Sequence, residues 1–60
     1  MTRYHLWIET ADGAVLEDVM PAENARQACD VATDEFPGHV LVMAEGIDAH
    51  HDTYVREAGT

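Results

Sequence analysis

Nine excess negative charges must share the surface of a 60-residue chain, because twelve carboxylates stand against three arginines and no lysine. Such a balance has two physical readings. Low hydrophobicity with high net charge leaves too little apolar surface to offset chain entropy and gives disorder. In this sequence 47% of residues are apolar and fall in short periodic blocks, which predicts an acidic folded domain. Self-repulsion weakens so small a fold, so a chain that tolerates it is expected to use the charge.

The segment 3–10 alternates, with Tyr4, Leu6, Ile8 and Thr10 on one side and His5, Trp7 and Glu9 on the other, the period of a half-buried strand. Asp12-Gly13 is a dipeptide preferred in two-residue hairpin loops, so 14–20 is expected to return antiparallel. That loop sets a register pairing Ile8 with Glu17, Trp7 with Asp18, Leu6 with Val19 and His5 with Met20. One face then carries Tyr4, Leu6, Ile8, Val15 and Val19, and the other carries Trp7, Leu16 and Met20 beside His5, Glu9 and Asp18. Glu17 falls awkwardly on the first of these faces.

Pro21 is expected to end the second strand. Asn24 followed by Gln27 reads as a helix N-cap with its capping-box partner, and Ala25, Ala28, Cys29, Ala32 and Phe36 follow a 3.6-residue stripe. Phe36-Pro37-Gly38 stops the helix. The run 40–44 is apolar on both faces, as in an internal strand, and Gly46 ends or bulges it. A turn through Asp48-Ala49-His50-His51 leads to a short last strand over 53–56. The predicted fold class is α+β: one domain over 1–60, a small two-layer ββαβ(β) arrangement of a β-hairpin, one α-helix and one or two further strands, the helix on one face of an antiparallel sheet. The uncovered face, with Trp7, Leu16 and Met20, is a candidate apolar contact or homodimer surface.

Functional classes can be weighed against the same residues. The lone cysteine, Cys29, excludes an internal disulfide and reads as a small buried hydrophobe in a reducing compartment. The N-terminus lacks the apolar core of a signal peptide, and no apolar run approaches the ~20 residues of a membrane-spanning helix. His50 and His51 between Asp48 and Asp52 offer metal-binding side chains, but without a second cluster at ligand spacing no metal or cofactor is expected. There is no serine and no phosphate-cradling glycine pattern, and so small a chain hardly forms a cleft, so no catalytic residue is assigned. Arg3, Arg26 and Arg56 are too few for a nucleic-acid footprint. The reverse case is stronger: a surface of carboxylates can occupy a Lys/Arg groove built for phosphates. The candidate partner-binding residues are Glu23, Asp30, Asp34, Glu35, Glu45, Asp48, Asp52, Glu57, Asp12 and Asp18.

The lysine-free acidic composition, the hairpin, the alanine-rich helix from Ala22-Glu23-Asn24-Ala25-Arg26-Gln27-Ala28-Cys29 to Phe36-Pro37-Gly38-His39-Val40, and the further strand resemble the small phage-encoded anti-CRISPR proteins. Among them the chain is most similar in kind to the acidic inhibitors of type I-C systems that act as DNA mimics. The resemblance implies a non-enzymatic inhibitor in the cytoplasm of a bacterial host, and for the chain itself a monomer is favoured with a homodimer open. It would bind a basic DNA-binding surface of a CRISPR effector subunit, contacting neither nucleic acid nor membrane, and stop recognition of the protospacer-adjacent motif. An antitoxin-like or homodimeric module covering a basic RNase or other protein surface is the alternative.

Overall fold

The computed structural model describes residues 1–57. Four strands and one helix follow in the order β1 (Thr2–Thr10), β2 (Val15–Ala22), α1 (Ala25–Glu35), β3 (His39–Gly46) and β4 (Thr53–Glu57). They form a single antiparallel sheet of spatial order β2-β1-β3-β4, with the helix on one face. Since β1 runs antiparallel to both neighbours, β2 and β3 are parallel to each other with β1 between them, and α1 carries the chain across that gap. The ββαβ(β) α+β expectation is met, including the fourth strand and the internal position of β3.

The hairpin register differs from the expected one by a single residue. The loop has three residues, Ala11, Asp12 and Gly13, closed by Gly13 N–H donating to Thr10 O (3.0 Å) and Thr10 N–H donating to Ala14 O (2.9 Å). Gly13 sits at φ 88°, the left-handed position that a type I turn plus bulge places at its third residue. Asp12 fastens the turn by accepting from the Thr10 hydroxyl and from Ala14 N–H. Ile8 therefore pairs with Leu16, Trp7 with Glu17, Leu6 with Asp18, His5 with Val19 and Tyr4 with Met20. With a side-chain period of two, this slip exchanges the faces of the whole second strand. Val15, Glu17 and Val19 join Trp7 on the open face, while Leu16 and Met20 lie on the helix side. Glu17 is thus relieved of the awkward placement the shorter loop gave it.

Pro21 does not end β2, which runs on to Ala22 with Pro21 opposite Arg3. An edge strand tolerates proline because its outward backbone positions need no ladder partner. Asn24 caps the helix, its Oδ1 accepting from Gln27 N–H at 2.8 Å, and Gln27 Oε1 reaches back to the N–H of Glu23 (2.6 Å) rather than to that of Asn24. At the far end Phe36 N–H bonds Ala32 O (2.9 Å), and both the backbone N–H and Nδ1 of His39 converge on Phe36 O, which turns the chain into β3.

The core is Tyr4, Leu6 and Ile8 of β1, Ala22, Val42 and Ala44 from the flanking strands, and Ala25, Ala28, Cys29 and Ala32 of the helix. Met20, Phe36 and Tyr54 pack at its margin. Three alanines and a cysteine on the inward stripe let the helix lie close to the sheet, where it favours β3 and β4. Leu16 on the far side of β2 consequently stays 40% exposed despite facing the helix layer. Gly46 closes β3 beneath the 47–52 loop, where an added Cβ would stand 2.5 Å from the carbonyl oxygen of Ala49. No helix among the described residues is long and apolar enough to cross a membrane.

Candidate functional site

None of the twelve carboxylate side chains belongs to a buried residue, and the fold sorts them into three groups. Glu23, Asp30, Asp34 and Glu35 lie on and before the outer side of α1, with Asp18 on the same layer at the β2 margin. Asp12, Asp48 and Asp52 sit in the end loops. Glu9, Glu17, Glu45 and Glu57 project from the open sheet face. The expected acidic positions therefore form no single patch. Glu9 and Glu17, which sequence reasoning left outside the candidate set, belong to the most ordered group. The signal that could have found Glu17 is the threonine two residues before Asp12-Gly13, whose hydroxyl helps close the longer loop.

The registers lay the open face out as a grid across β2, β1, β3 and β4. One row reads Val19, His5, Glu45, Thr53; the next Glu17, Trp7, Met43, Val55; the third Val15, Glu9, Leu41, Glu57. Four glutamates thus border an apolar run of Trp7, Met43 and Val55 on one surface. His5 stacks on Trp7 with ring centroids 3.9 Å apart and planes 25° apart, and its Nε2 lies 2.9 Å from Glu17 Oε1. Glu45 lies 3.7 Å from His50 Nδ1. Of the expected apolar contact residues, only Trp7 is on this face; Met20 is occupied with the core and Leu16 stands alone on the other side.

On the helix side Arg56 bridges Asp30 and reaches over the Tyr54 ring, its guanidinium carbon 5.6 Å from the centroid. The Asp30 carboxylate, then Tyr54, holds the Arg56 guanidinium more firmly protonated than an ordinary arginine. Burial raises the Cys29 thiol, which points to the Tyr54 and Val42 carbonyls at 3.7 and 4.0 Å and has the packing of an inert core residue. Among the described residues no pocket is found and no three His, Cys, Asp or Glu side chains are grouped to hold a metal ion. His50 and His51 are both exposed.

Tyr4 supplies a pH-dependent tie. Its hydroxyl donates to the Asp52 carboxylate, fixing the 47–52 loop to the central strand, and that bond, followed by burial and the carboxylate's charge, raises the phenol above its ordinary value of 10.0. A group raised in the folded state stabilises the fold fully below the unfolded pKa and loses that contribution as pH rises through the folded one. The melting temperature is therefore expected to fall above about pH 10. Tyr4→Phe should flatten that alkaline fall in a pH series of thermal melts, and an unchanged slope would remove Tyr4 from its cause.

No protein-family model, curated protein or solved structure matches the chain.

Proposed function

We propose that this chain is a non-enzymatic acidic inhibitor that mimics the charge of DNA and blocks target binding by a type I CRISPR surveillance complex. The observation that carries this reading is the display of charge. Three arginines cannot neutralise twelve carboxylates, and Arg56 is already held by Asp30, so the excess must meet solvent or a basic partner. A small rigid sheet with acidic groups on both faces suits a groove of Lys and Arg shaped for a polyanion, and opposite fields speed the encounter. Covering the site that reads the protospacer-adjacent motif stops recognition at its first step, before guide pairing begins.

The test is a gel shift with purified type I-C effector and its target duplex, with and without the protein. Loss of the DNA-bound band at near-equimolar protein is the expected outcome. A band undisturbed by a large excess would discard this reading in favour of a basic RNase or another basic surface as the target.

A further inference from the structure

We propose that the open sheet face is the docking surface and that its occupant is an arginine-bearing protein surface, not a second copy of this chain. This rests on the reading above that the target is basic. The helix covers one side of the sheet only, leaving Trp7, Met43 and Val55 side by side in one row and Val19 diagonal to Trp7, with Val55 49% and Val19 52% exposed. Charge complementarity selects among the occupants. Face-to-face self-pairing would set Glu9, Glu17 and Glu45 against their own copies, with Arg3, His5 and, beside Glu45, His50 the basic side chains there, because Arg56 points to the helix side. Like charges brought together in a desolvated contact oppose association. Side-by-side strand addition at the β2 edge is also blunted: Val19 N–H is taken by Asp18 Oδ1 at 2.8 Å, and Pro21 has no N–H.

Arginine fits this face better than lysine does. Glu17 lies directly across from Trp7, and Glu9 is two residues along the same strand, roughly 7 Å away, on the same side of the sheet. The His5 ring already stacks on the indole with its Nε2 2.9 Å from Glu17 Oε1, so a guanidinium that displaces it takes over a place where ring stacking combines with a paired hydrogen bond to that carboxylate, which a spherical ammonium cannot match. The flanking Met43, Val55 and Val19 receive the apolar stems of the same side chains.

Trp7 is the sole tryptophan, so its emission reports this face alone. The chain is titrated at low salt with deca-arginine and, separately, deca-lysine. Deca-arginine is expected to perturb Trp7 emission and to bind about fivefold more tightly than deca-lysine. The triple variant Glu9→Gln, Glu17→Gln, Glu45→Gln should weaken deca-arginine by about tenfold. Removing equal charge from the helix side with Glu23→Gln, Asp34→Asn and Glu35→Gln should change it by less than about threefold. Equal losses from the two triples, an unmoved Trp7 signal, or a sedimenting dimer with Trp7 shielded would each overturn the proposal. Circular dichroism confirms that the exposed-site variants fold. The gel shift separates the two readings: DNA displaced equally well by wild type and the sheet-face triple overturns this inference and leaves the function standing. Arginine docking at Trp7 without DNA displacement does the reverse.

Discussion

Truncating Ile8 to alanine is expected to destabilise the protein by about 3 kcal/mol. Ile8 is 0% exposed, pairs with Leu16 on one side and Val42 on the other, and lies in the strand that the helix layer and both flanking strands share. Removing its branched side chain costs the transfer free energy of the lost atoms and leaves a cavity that a close-packed alanine helix cannot collapse into without shifting as a body. A domain of this length has a total stability of only about 3 to 9 kcal/mol, so the substitution removes about a third of it or more. Urea denaturation checks it, with the midpoint lowered and the slope retained. Val15→Ala, at an exposed corner of the open face, should change stability by less than about 0.5 kcal/mol. A loss below about 1 kcal/mol for Ile8→Ala would contradict the central place of β1.

Ile8 also shows what the sequence discloses and where it stops. Its inward orientation follows from alternation along β1, and the helix stripe of Ala25, Ala28, Cys29 and Ala32 follows from the 3.6-residue period; all of them are buried in the structure. These patterns are legible because each element has one dry face. The pairing of β1 with β2 was not, since Asp12-Gly13 serves a two-residue loop and also the last two positions of a three-residue one. The choice lies in the Thr10 side chain and in the energetics of burying Met20 rather than Val19 against the core. Because the faces of β2 hinge on that choice, a two-residue loop puts Leu16 and Met20 on the open face and keeps Glu17 off it, and the three-residue loop reverses all three. The excess of carboxylates could be counted in the sequence, whereas their division between helix, loops and sheet face needed the register. Pro21 is a milder case, a strand breaker in general that an edge strand accommodates.

Salt should act on this protein in two opposite directions. The folded chain, with net charge -9, is compressed into extents of 31 × 19 × 18 Å, so its carboxylates repel one another over distances comparable with the ~10 Å Debye length at 0.1 M salt. Unfolding separates them. Raising sodium chloride from about 0.01 M to about 1 M shortens the screening length from ~30 Å to ~3 Å and is expected to raise the melting temperature by roughly 5–10 °C. The same screening removes the attraction between the acidic surface and a basic target, so affinity for the effector should fall by about a hundredfold between 50 mM and roughly 300 mM salt. Chloride is the appropriate salt, because sulfate would also strengthen apolar burial and confound the comparison. A stabilised fold that binds less tightly is the signature of charge held at a cost to folding and used in recognition. Affinity that holds or rises with salt would place the apolar positions around Trp7, and not the carboxylates, in command of binding.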